Sequence, residues 1–217
     1  MKKINLILIG LTFVFFTNGQ ILKIQGGTSI SKLDWDVPAI HNGSLYNKTL
    51  IGYSVFAGID YLDKNFFNLS SNIGMIRKGG KSDNMTLTDS MGNELRNLTV
   101  KPTLDYLSIN TTIDFKYPIK KKVFPFLSIG PRIDYLLNSS GEFSYLKQTN
   151  DLKTISFGLI LGAGVKYNIS KFQLGLRADY FLDFTKVADW SVTTNRVAGD
   201  ISANTFSINL TVGYRIK

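Results

Sequence analysis

The stretch Phe206-Ser207-Ile208-Asn209-Leu210-Thr211-Val212-Gly213-Tyr214-Arg215-Ile216 decides the fold. Phe206, Ile208, Leu210, Val212, Tyr214 and Ile216 share one parity, and Ser207, Asn209, Thr211, Gly213 and Arg215 the other. An apolar period of two describes a strand with one oily and one polar face. The polar face is built of short side chains. A soluble sandwich turns its apolar face inward and leaves long charged residues outside. Short polar side chains suit a crowded interior instead, which leaves the apolar parity to face lipid.

The pattern repeats upstream. Phe172, Leu174, Leu176, Ala178, Tyr180, Leu182 and Phe184 alternate with Gln173, Gly175, Arg177, Asp179 and Asp183, with Phe181 as an apolar intruder on the polar side. Ile155, Phe157, Leu159, Leu161, Ala163, Val165 and Tyr167 alternate with Ser156, Gly158, Gly162, Gly164 and Lys166. Leu107, Ile109, Thr111, Ile113, Phe115 and Tyr117 alternate with Tyr106, Ser108, Asn110, Thr112, Asp114 and Lys116. Segments 124–137, 66–77, 50–62 and 22–32 follow the rule less cleanly, which makes eight strands. Soluble strands usually run about five or six residues; several of these alternate for at least the nine to eleven or so that cross a bilayer. Phe66, Phe67, Tyr117, Phe124, Phe126, Tyr135, Tyr167, Phe172, Tyr180 and Tyr214 cluster at strand ends, as aromatic girdles do.

The links 33–49, 63–65, 78–102, 118–122, 138–153, 168–171 and 185–203 alternate long and short. Short periplasmic turns and long extracellular loops produce that rhythm in an up-and-down barrel. The short links Asp63-Lys64-Asn65 and Asn168-Ile169-Ser170-Lys171 suit hairpin turns, since Asn is able to take positive φ. The fold expected is all-β, an eight-stranded antiparallel up-and-down transmembrane β-barrel.

Composition agrees. Of 217 residues, 44% are hydrophobic, 12% aromatic and 19% charged, too apolar for a disordered chain. With no Cys and one His, disulfides, thiol catalysis, thiolate zinc sites and multi-histidine metal sites are excluded. Lys2 and Lys3, the apolar run Ile4 to Phe16 and the small residues Thr17-Asn18-Gly19 have the layout of a signal peptide over 1–19. Residues 20–217 then form the barrel domain, and removing two lysines lowers the net charge from +9 to +7.

Three groups of residues carry a family resemblance. The stretch Leu69 to Lys81 ends Ile73-Gly74-Met75-Ile76-Arg77-Lys78-Gly79-Gly80-Lys81; Tyr106-Leu107-Ser108-Ile109 precedes Phe124-Pro125-Phe126-Leu127-Ser128-Ile129-Gly130-Pro131; and Gly162-Ala163-Gly164-Val165 precedes Leu176-Arg177-Ala178-Asp179-Tyr180. With these the chain resembles the PorT-like outer-membrane β-barrel group common in Bacteroidota, related in architecture to OmpA- and OmpX-type barrels. It departs at Asn110, where the group usually has Pro, and at the non-aromatic ending Ile216-Lys217. The resemblance implies a part in secretion across the outer membrane, with a secretion-machinery or periplasmic protein as partner.

No catalytic, cofactor-binding or metal site is assigned. Gly79-Gly80-Lys81-Ser82 imitates a phosphate loop, but Gly74 is one residue out of place and no helical pattern follows. Gly158, Gly162 and Gly164 share a strand parity, as small residues lining a narrow barrel do. His41, near Asp34, Asp36 and Ser44, would serve a hydrolase only if a nucleophile and an orienting acid converged on it.

The informative set is the inward parity: Asp60, Asp114, Lys116, Arg132, Asp134, Lys166, Arg177, Asp179, Asp183 and Arg215. Charges in a narrow interior are expected to pair. Pairing through the link 168–171 would set Gly162 opposite Arg177. The set reads as a salt-bridged filling, or else as an ion path. Lys120-Lys121-Lys122 forms a cationic periplasmic turn. Nothing suggests nucleic-acid binding. A monomer in outer-membrane lipid with a structural, adhesive or transport-accessory role is the reading. A narrow porin-like channel and a hydrolase using His41 are the alternatives.

Overall fold

A computed structural model describes residues 20–36, 46, 48–88, 94–119, 122–141, 143–190 and 199–216. Eight long strands form the wall: β1 (Ile21–Asp36), β2 (Leu50–Asp63), β3 (Phe67–Gly79), β6 (Thr103–Lys116), β7 (Val123–Ser139), β8 (Ile155–Ile169), β9 (Phe172–Asp183) and β11 (Gly199–Arg215). Each pairs antiparallel with the next, and β1 pairs with β11 from Ile21↔Arg215 to Asp36↔Asp200, which closes the cylinder. Closure leaves no open sheet edge in lipid, where an unpaired backbone group would cost several kcal/mol or so. The proposed signal segment 1–19, together with His41 and Ser44, lies outside the described residues.

The alternation holds through the wall. Leu176, Leu210 and Ile208 face outward and are exposed, whereas Asn209, Ser207 and Thr211 face inward and are buried. Of the aromatics expected in girdles, Phe67, Tyr135, Tyr167, Phe172, Tyr180 and Tyr214 are exposed. Phe126 is not: its even position on β7 turns it inward, where it is buried. The links differ from expectation in several ways. β1 runs on to Asp36 and β11 begins at Gly199, inside the links expected at 33–49 and 185–203, and Asn65 does not take a positive φ. The β8–β9 turn is only residues 170–171, with Asn168 paired to Gln173 in the ladder and Ser170 taking the positive φ (53°). The 78–102 link contains a two-stranded hairpin, β4 (Ser82–Thr88) with β5 (Glu94–Val100), and β3 runs on through Gly79. No phosphate loop forms there, because β4 follows Gly80-Lys81 directly.

The long-loop end is closed. A six-residue helix, α1 (Phe143–Gln148), follows β7, and a three-residue strand, β10 (Ala188–Trp190), pairs with β11. Phe143 and Leu146, three apart on α1, share its buried side. Leu152 bridges to Ala188, and Lys153 N–H donates to the Val187 carbonyl at 2.9 Å. These residues join Tyr46, Leu33, Ile76, Leu104 and Ile201 in the hydrophobic core. The core is therefore an apolar plug at one end of the barrel.

Candidate functional site

Below the plug the lumen is charged, and strand parity delivers every member. Near the plug, Lys78 of β3 sits 3.0 Å from both Asp134 and Asp183, and Arg132 pairs with the same two carboxylates. Rings wall this group. The Lys78 ammonium lies 5.2 Å from the Tyr106 ring centre, and the Arg132 guanidinium 5.0 Å from that of Phe181. Phe181, the odd residue on the polar face, thus packs against cations.

Toward the short-turn end a second group forms. Lys23 donates to Asp60 at 2.6 Å and to Ser70 at 2.5 Å. Lys166 reaches Asp114 at 2.8 Å, Asn68 at 3.0 Å and Asp60 at 3.3 Å. Arg177 holds Asp179 through Nε at 2.7 Å, Ser128 at 2.8 Å and Asp114 at 3.4 Å. Phe126 lies under both Lys166 and Arg177, at 5.0 and 5.7 Å. Each group is neutral, two cations against two aspartates and three against three. That balance is what makes such burial tolerable, since an uncompensated charge costs several kcal/mol or so. Neutral side chains bond to one another along the lumen: Asn72 donates to Asn110 at 2.8 Å, Gln25 to Asn72 at 3.0 Å, and Ser54 to Asn209.

At the short-turn rim, Asp63 accepts from Lys116 and, at 3.2 Å, from Arg215, whose side chain is 37% exposed. All ten residues of the expected set are thus placed in the lumen or at its rim. Three partners were missing from that set. Lys78 lies one residue past the expected strand 66–77, Asp63 falls in the expected link 63–65, and Lys23 belongs to the less regular segment 22–32. The expected register was two residues off: Gly162 pairs with Asp179, and Gly164 with Arg177. The absent side chain still makes room, because a Cβ on Gly162 would meet the Asp179 carboxylate and Ser128 Oγ.

Around the second group the side chains leave little free space. A cavity beside Lys23, Lys166 and Arg177 measures about 10 Å³, room for roughly one water. Among the described residues no group of His, Cys, Asp and Glu could hold a metal ion. One polar cluster faces outward instead: Arg77 binds Asp105 through Nε (2.7 Å) and Nη2 (2.9 Å), over the Tyr53 ring at 4.9 Å.

A closed antiparallel barrel with an oily outer face has a counterpart among known families. The family model described as "Outer membrane protein beta-barrel domain" matches residues 20–189. The chain belongs to this family. It sits in the outer membrane, so the short turns face the periplasm and the capped end faces outward. Similar solved structures include Ail, the attachment invasion locus protein of Yersinia pestis (14% identity, 92% of this chain and 100% of that one, TM-score 0.43). Neisserial surface protein A has 14% identity, 90% and 97% coverage and a TM-score of 0.47. OprG of Pseudomonas aeruginosa has 8% identity, 91% and 96% coverage and a TM-score of 0.49. No curated protein matches the chain.

Proposed function

We propose that this outer-membrane barrel is a closed, monomeric support that acts through what it presents outside the cell, in a structural, adhesive or secretion-accessory role. One observation carries the reading: two neutral ion-pair groups fill the lumen and an apolar plug covers them. An ion moving outward would have to break buried pairs and then cross that plug. The β4–β5 hairpin, a separate two-stranded sheet at the outer end, is a surface on offer there. The resemblance to the PorT-like group supports the secretion-accessory form of the reading. No enzymatic role is proposed, and His41→Ala should leave the protein's behaviour unchanged.

Planar-bilayer recording of the purified, refolded protein tests this. A silent trace is expected. Stepwise currents that shift when Arg177 or Asp179 is neutralised would replace the proposal with a channel.

A further inference from the structure

The charge of the chain is unevenly distributed. Residues 20–217 carry a net +7. The buried lumen groups cancel, five cations against five aspartates. The outer end also cancels, ten basic against ten acidic residues across its loops and the outer or outward-facing parts of the strands. The whole excess falls at the periplasmic end: Lys64 in the first turn, Lys116 and Lys120 to Lys122 around the second, Lys171 in the third, Arg215 at the end of β11 and Lys217 beyond it. Asp63 is the one acid in these segments, so eight cations less one anion give +7. Lys64, Lys122 and Lys171 are exposed, while Lys120, Lys121 and Lys217 lie outside the described residues.

A second observation meets the first on the outside of the wall. An apolar groove of about 420 Å³ crosses the lipid-facing surface of β11, β1 and β2 near this rim, walled by Leu22, Ile24, Val212 and the Phe172–Tyr214 pair and floored at Ala57. The two rings stand edge to face, 5.4 Å between centres. The Arg215 N–H donates to the Lys171 carbonyl at 2.7 Å, which holds the exposed Lys171 next to those rings, while the Arg215 side chain turns to Asp63. Cations at headgroup depth beside an apolar slot in the membrane-facing wall match one kind of molecule, an anion with a hydrocarbon chain.

We propose that the periplasmic rim binds anionic phospholipid of the inner leaflet, with the phosphate among the rim lysines and an acyl chain in the groove. An acidic protein would account for the lysines but not for a slot that opens toward hydrocarbon. Near a membrane surface each lysine contributes about fivefold in affinity for anionic lipid, and salt screens this over about 10 Å at 0.1 M.

The test uses the full mature chain in nanodiscs that mix phosphatidylglycerol with phosphatidylethanolamine, with retained lipid read by native mass spectrometry. The wild type should retain phosphatidylglycerol preferentially. The triple variant Lys64→Gln/Lys122→Gln/Lys171→Gln should lose at least about tenfold of that preference. Ala57→Phe, which fills the slot, should lower the amount of lipid held while keeping the headgroup preference. A mobility shift on boiling verifies that each variant is folded. Equal retention of both lipids by the wild type would overturn the proposal. So would a triple variant with unchanged preference.

Discussion

The two ends of the lumen are filled by opposite chemistry. At the outer end Phe143, Leu146, Leu152 and Val187 seal the mouth with hydrocarbon; toward the periplasm Lys23, Lys166 and Arg177 interlock with Asp60, Asp114 and Asp179. The plug docks loop residues and a six-residue helix onto inward side chains of the strands such as Leu33, Ile76 and Leu104, so the order of those docked segments depends on contacts between pieces that are only locally fixed. The charged group hangs from continuous strands whose register already sets each side chain opposite its partner. The plug should therefore open without the wall, whereas the ion pairs should fail only with it.

The largest effect expected is at Asp114, which accepts from Lys166, Arg177, Asn68 and Thr112. Asp114→Ala leaves three buried cations against two aspartates, an uncompensated charge, and should cost about 3–5 kcal/mol in urea unfolding from lipid vesicles. A loss below about 1 kcal/mol would mean that the lumen is wetter than its packing indicates. Next comes the plug. Leu146→Ala should cost about 2–3 kcal/mol, confined to the lid: amide exchange should speed up over 143–152 while β8 and β9 stay protected. Equal acceleration in the wall would abolish the contrast between the two ends. The smallest effect is expected at the outward pair. Arg77→Ala leaves the nearly buried Asp105 with the Tyr53 hydroxyl as a donor and should cost less than Asp114→Ala. Salt should weaken the contribution of the half-exposed Arg77, whereas the Asp114 deficit should persist because its partners are fully buried.

Strand positions and facing were readable because lipid on one side and a packed lumen on the other force a period of two. The candidate site was readable to the same extent, since inward parity alone nominated Arg177, Asp179 and their neighbours. Its partners were less so. Lys78 precedes two glycines that resemble a chain break, yet Gly79 N–H is held by Ser31 Oγ at 2.8 Å and β3 continues through it. The plug left no periodic trace, because α1 is too short to display a helical repeat.

The alternating sequence by itself determined that this chain is a membrane barrel, which way each side chain faces and where the excess charge collects. These are local properties, set by the two-residue pleat and by the order of long and short links. Only the tertiary structure decided which aspartate meets which cation, that Gly162 stands across from Asp179, and that loops far apart in the chain close the outer mouth. Register and loop docking depend on contacts between residues distant in sequence, and no local pattern encodes those distances.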